Sequence, residues 1–80
     1  MEVGLLWFDD NPKVSVATKV ENAAQRYREK FGTSPDVCYV HPATLASANT
    51  LPKDVKLIES GSIRPNSFWI GLKAPRGLVR

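Results

Sequence analysis

Acidic, amide and imidazole side chains stand at the ends of three apolar runs in this chain. Asp9, Asp10 and Asn11 come directly after VGLLWF, His41 comes directly after DVCYV, and Glu59 ends VKLIE. Carboxylates and an imidazole gathered on one rim can bind a divalent cation, or they can act as acid and base. The sequence therefore offers Asp9, Asp10, His41 and Glu59 as candidate ligand-binding residues of a metal- or phosphate-dependent site, with hydrolysis as one activity to test.

The same residues have an ordinary structural interpretation, which we favour. The stretch DDNP at 9–12 is a common way to end a strand and open a helix, because Asp and Asn side chains turn and cap the backbone while Pro fixes φ. His41 precedes Pro42 and can cap a short helix. The single cysteine, Cys38, excludes an intrachain disulfide and is interpreted as a buried thiol. No catalytic residue, cofactor or confident metal site emerges, and we lean towards a protein without enzymatic activity.

Residues 15–31 carry the pattern of an amphipathic helix. Ser15 is an N-cap candidate with Asn11–Pro12 as a competing start, and Gly32 can end the helix in the left-handed conformation. Lys19 and the other polar residues of the segment are assigned to the solvent face. The apolar positions follow one helical face: Val16, Val20, Ala23, Ala24, Tyr27 and Phe31.

Four apolar runs predict β-strands at 3–8, 36–40, 55–59 and 68–72, and residues 43–48 after Pro42 predict a short helix. Strand, helix and strand in succession predict a βαβ unit. The expected fold is a small two- or three-layer α/β domain with three mainly parallel strands and an antiparallel C-terminal strand beside strand 3.

The spatial order of these strands decides where the helices lie. An order of 2-1-3 would place the helices on opposite faces of the sheet, and an order of 1-2-3 would place them on one face. Because strands 1, 2 and 4 are apolar on both faces, the 2-1-3 order is favoured. It would also put residues 9–11 at the switch point where α/β sheets bind ligands.

Aromatic side chains are concentrated in the predicted strands: Trp7, Phe8, Tyr39, Phe68 and Trp69. One long and one short helix cannot cover all of these rings, and large exposed apolar patches usually mark a partner surface. An 80-residue domain also has a thin margin of stability, which oligomerisation often supplements. We therefore interpret the five aromatic residues as a candidate interface for a homodimer or another protein. A compact monomer with the rings inside is the alternative.

The positive charge of the chain lies at its C-terminal end. Lys73, Arg76 and Arg80 account for the whole formal charge of +3 and leave residues 1–72 neutral. We treat 1–72 as a single domain and 73–80 as a basic, disordered tail. Nucleic acid is not expected as the main partner, although the tail could add weak, salt-dependent contacts to phosphates. The opening residues lack the pattern of a signal peptide or membrane span, so no membrane association and a cytoplasmic location are expected.

Four stretches in this order, LLWFDDNP, RYREKFG, VCYVHP and FWIGL, resemble a group of short uncharacterised bacterial proteins with a WFD…HP…FWIG pattern. The resemblance covers roughly residues 3–72 and implies no activity. The acidic pair is also faintly similar to that of response-regulator receiver domains. The later strands, however, supply neither a phosphoacceptor aspartate nor a strand-end lysine, and the chain is too short for five βα units. The leading expectation is a protein-binding or homo-oligomerisation module.

Overall fold

The computed structural model describes residues 4–72, which form one four-stranded mixed sheet and two helices. The elements agree with those predicted, so a small α/β domain with one long and one short helix is confirmed. The predicted tail at 73–80 lies outside the described residues. Across residues 4–72, no helix is long and apolar enough to cross a membrane. In chain order the elements are β1 Gly4–Phe8, α1 Val16–Phe31, β2 Val37–Val40, α2 Pro42–Ala46, β3 Lys56–Glu59 and β4 Ser67–Gly71.

Helix α1 begins after Ser15, one of the two predicted starts, and ends at Gly32 as predicted. The Ser15 hydroxyl accepts a hydrogen bond from the Thr18 N–H at 3.1 Å. Gly32, at φ 74°, ends the helix by donating its N–H to the Arg28 carbonyl oxygen at 2.8 Å. Glycine adopts this left-handed conformation without a steric penalty. Lys19 is the exception to the predicted polar face, because its side chain is buried along with the apolar stripe.

The favoured strand order, 2-1-3 with strand 4 beside strand 3, is wrong. The order is β1-β4-β2-β3, in which β4 pairs antiparallel with both β1 and β2, while β2 and β3 pair in parallel. The C-terminal strand is thus antiparallel, as predicted, but it is central. Phe68 and Ile70 of β4 are fully buried, and such a strand is stabilised most between two neighbours. β3 exposes Lys56 and Glu59, which suit an edge.

Both helices lie on one face of the sheet. α1 packs against β4 and β1, and α2 packs against β3. The chain moves in the same direction across the sheet from β1 to β2 and from β2 to β3, so right-handed crossovers place both helices on the same side. One core forms between the layers, including Val20 and Tyr27 of α1 and Phe68 of β4. Within residues 4–72 the fold has two layers, and neither helix covers the second face of the sheet.

Candidate functional site

The acidic pair after β1 serves the local turn. The Asp9 carboxylate accepts a hydrogen bond from the Asn11 N–H at 2.9 Å, and the Asn11 side chain accepts one from the Lys13 N–H at 2.9 Å. These are two successive Asx turns, the geometry by which Asp and Asn side chains reverse a backbone. Asp10 is exposed. The structural interpretation of DDNP therefore accounts for the Asp9 side chain without a ligand.

His41 and Glu59 do not join the acidic pair. His41 is the N-cap of α2, where its Nδ1 accepts a hydrogen bond from the Ala43 N–H at 3.0 Å. Because β4 lies between β1 and β2, the strand ends carrying Asp9 and His41 are two strand spacings apart, roughly 10 Å. Glu59 ends β3 on the far side of β2. No group of three or more His, Cys, Asp or Glu side chains within residues 4–72 could hold a metal ion.

Cys38 lies at the centre of the sheet as a fully buried thiol. Burial raises the pKa of this thiol from 9.0 to about 12, because desolvation disfavours the thiolate. The stability gained by holding this proton is complete below pH 9 and is lost as the pH rises from there towards about 12. A thiol that stays protonated is a poor nucleophile, so Cys38 is not a catalytic candidate.

We expect Cys38 to react with a disulfide reagent such as DTNB at least about 100-fold more slowly in the folded protein than in urea at the same mildly alkaline pH. Both burial and the small thiolate fraction act in this direction. The release of the coloured thiolate measures both rates. Native labelling as fast as labelling in urea would show that β2 is not buried.

The face of the sheet turned away from the helices carries a continuous apolar row. The register pairs Leu6 with Trp69, Trp69 with Tyr39, and Tyr39 with Ile58, so this row crosses all four strands. Tyr39 and Trp69 contact each other edge to face, with their ring centroids 5.6 Å apart. Phe8 lies two residues after Leu6 on the same side of β1, and the two are 62% and 64% exposed. We call these five residues the open face.

The open face contains only part of the predicted interface. Phe8, Tyr39 and Trp69 belong to it, whereas Trp7 and Phe68 point to the helices because side chains alternate along a strand. Phe68 is fully buried and Trp7 packs against the same core. The indole Nε1 of Trp7 is buried with no hydrogen-bond partner in the described part of the chain.

Leu6 and Ile58 complete the open face, and the sequence interpretation did not include them. The two-residue period of a strand is a partial signal, because it groups residues on one face without showing which face the helices cover. Leu6 is two residues from Phe8, and Ile58 lies beside Tyr39 once β2 and β3 are paired. Because the apolar runs do not alternate with polar residues, the sequence alone does not show which half of each run faces the helices.

Trp69 lies over Gly4 of the edge strand. A Cβ placed on Gly4 would overlap three carbons of the six-membered indole ring, Cε2, Cζ2 and Cη2. Diagonal neighbours across an antiparallel pair come within reach of aromatic side chains. The absence of a side chain at position 4 therefore lets the indole lie along the sheet, where it forms the middle of the open face.

A polar groove of about 460 Å³ lies at the N-terminus of α1, bounded by α2 and by the residues that precede β4. Lys19, 5% exposed, lines it. The sequence interpretation missed this residue, although a signal was present. Position 19 is the third after Val16 in the i, i+3, i+4, i+7 pattern, which assigns it to the buried face of the helix.

Comparison of the chain with protein-family models, with curated proteins and with solved structures finds no significant match. The resemblance to short bacterial proteins therefore stays a prediction. A sheet in the order β1-β4-β2-β3 does not by itself define a function.

Proposed function

We propose that this protein is a homo-oligomerisation module whose open face packs against the same face of a second copy. The observation that supports this is the uninterrupted apolar row across all four strands. Leu6 and Phe8 are more than half exposed on its outer strand. Apolar side chains gathered on one sheet face are the usual mark of a protein contact, whereas singly scattered ones need no explanation.

The charge of this face favours a second copy over nucleic acid. Because side chains alternate along a strand, the other strand residues on the open face can be identified. Within the described strands they are small or apolar, except for Lys56 on the edge strand β3. A surface that stacks nucleic-acid bases combines its aromatic rings with several Lys or Arg side chains that follow the phosphates. Two nearly neutral faces can instead meet without like-charge repulsion, as a two-fold symmetric interface requires.

The size of the open face sets the expected strength of the dimer. Four strands about 4.8 Å apart and about 17 Å long limit this face to a few hundred Å² per copy. The accessible part is smaller, because Tyr39, Ile58 and Trp69 are only partly exposed. Stable complexes bury about 800 Å² per partner, so this face alone is small. We therefore expect a weak dimer, with a dissociation constant of about 10–100 µM, rather than a permanent one.

Replacing Leu6 by lysine should weaken this dimer at least tenfold, because two ammonium groups would then be buried in an apolar contact. Sedimentation equilibrium over a wide range of protein concentration measures the effect. Wild type should change from monomer to dimer within this range, and Leu6→Lys should remain monomeric.

Leu51→Lys provides a matched control. Leu51 is 65% exposed, as Leu6 is 64%, but it lies outside the strands and the helices. The two variants have the same charge and composition, so only the position differs. Leu51→Lys should dimerise like wild type. A wild-type protein that is still monomeric at about 500 µM would refute the proposal, as would equal weakening by both variants. Monomeric wild type would leave a different protein as the partner to seek.

A further inference from the structure

Helix α1 has an uncompensated positive end. The N–H groups of Thr18 and Lys19 bond to Ser15, whereas those of Val16 and Ala17 have no hydrogen-bond partner in the described range. The first turn contains no acidic residue. A helix N-terminus carries about half a positive charge, which an acidic side chain or a bound anion normally balances.

Lys19 adds a second positive group to the same helix end. The residue is 5% exposed, its ammonium nitrogen is not completely buried, and it has no hydrogen-bond or ion-pair partner among residues 4–72. This position is unfavourable in two ways, since a cation is repelled by the helix N-terminus and a buried lysine loses rotamer freedom. Because the side chain lines the groove, an anion bound there would offset the charge repulsion.

The groove walls continue this positive, polar character. Lys13 supplies a second ammonium group, against the single carboxylate of Asp10. Elsewhere in the lining, the Thr44 hydroxyl accepts the Asn66 N–H at 3.2 Å, and the Asn66 carbonyl oxygen accepts the Asp9 N–H at 3.0 Å. These bonds hold Asn66 at φ 66°, a left-handed conformation that asparagine tolerates better than most residues. This part of the groove lining is therefore fixed by hydrogen bonds.

We propose that this groove binds the phosphate group of a small phosphorylated sugar or polyol. Free N–H groups of a helix N-terminus and two lysines are the groups that recognise phosphate. The volume of about 460 Å³ lies within the range of small-molecule sites. Ser47 and Asn49 add a hydroxyl and an amide, and the lining contains no aromatic ring on which a nucleobase could stack. The site lies on the helix side of the sheet and does not depend on the open face.

Titration of the full chain with glucose 6-phosphate, glucose and inorganic phosphate at constant ionic strength tests this assignment. Backbone amide NMR shifts should change around residues 13–19, 44–49 and 66. We expect glucose 6-phosphate to bind about tenfold more tightly than inorganic phosphate, and glucose alone not to bind. If glucose 6-phosphate bound no more tightly than inorganic phosphate, the sugar-phosphate class would be wrong.

Lys19→Met removes the ammonium group and keeps the apolar stem, and Lys30→Met removes an exposed charge from the last turn of the same helix. Lys19→Met should weaken glucose 6-phosphate binding about tenfold while raising the melting temperature of the free protein by about 3 °C, because an unfavourable charge is removed. Lys30→Met should bind like wild type. Asp10→Asn should bind several-fold more tightly, as a repelling carboxylate is lost.

Equal affinity in Lys19→Met and wild type would overturn the proposal, as would shifts scattered over the exposed lysines. If Lys19→Met did not fold, the melting temperatures of wild type and Lys13→Met in phosphate would test the site instead. Phosphate should raise that temperature above its value in chloride of the same ionic strength, and Lys13→Met should reduce the rise. No rise in wild type would refute the site.

Discussion

Phe68→Ala is expected to lower the free energy of unfolding by about 3–5 kcal/mol, most of the stability that an 80-residue domain has. Phe68 is fully buried on the central strand β4, between Trp7 and Val40 in the register. Removing the ring loses its transfer energy and leaves a cavity that the two-layer core can fill only in part.

The same substitution at position 8 is the control. Phe8 has the same side chain, also lies in a strand, and is 62% exposed on the open face. Phe8→Ala should cost no more than about 1 kcal/mol. Urea denaturation followed by circular dichroism, at a protein concentration below the expected dimer dissociation constant, measures both variants. Similar losses in the two would show that the faces of the sheet are assigned wrongly.

The elements of this fold could be predicted because their signals are local. The cap at Ser15, the helical period of α1 and the stop at Gly32 act within a few residues and agree with the structure. The His41–Pro42 start of α2 is equally local, since both the Nδ1 hydrogen bond and the fixed φ of proline lie within three residues. Local sequence therefore limits the start of each helix to a few residues, although for α1 it left Asn11–Pro12 open as an alternative to Ser15.

The strand order could not be obtained in this way, because it depends on competition between distant strands. Nothing near residues 67–71 shows that β4 inserts between β1 and β2. Once β4 takes the centre, the βαβ crossover spans it, and both helices lie on one side. The interpretation that strands apolar on both faces must be covered by a helix on each side was wrong here. One apolar face is left without a helix, and that face is the feature on which the proposed function depends.

The candidate site residues also differ in whether their partners are local or distant in the sequence. Asp9 and His41 were interpreted mainly as turn and cap residues, and the structure gives their side chains those partners. Lys19 was assigned to the solvent face because lysine is usually exposed, although its position in the helical period indicates the buried face. Its environment is formed by α2 and the loop before β4, which come more than 20 residues later in the chain. The sequence of one segment therefore cannot predict a groove that distant segments form together.

Gly4→Ala is expected to lower the free energy of unfolding by about 1–3 kcal/mol, although it adds only one methyl group. The new Cβ would overlap the six-membered ring of Trp69, so the indole must move and its edge-to-face contact with Tyr39 is lost. Gly61→Ala is the control, because a Cβ there meets nothing within 4 Å. Urea denaturation measures the stability, and the NMR shift of the Trp69 indole N–H reports the displacement.

A double-mutant cycle separates this collision from a general weakness of β1. In a Trp69→Leu background the bulky ring is gone, so Gly4→Ala should cost about 1 kcal/mol less than it does in wild type. Strictly additive effects would show that alanine disturbs the strand and not the indole. Because Trp69 is the middle of the open face, Gly4→Ala should also weaken self-association, by about tenfold, while Gly61→Ala leaves it unchanged. A glycine that contributes no side chain would then control the surface on which the proposed dimer depends.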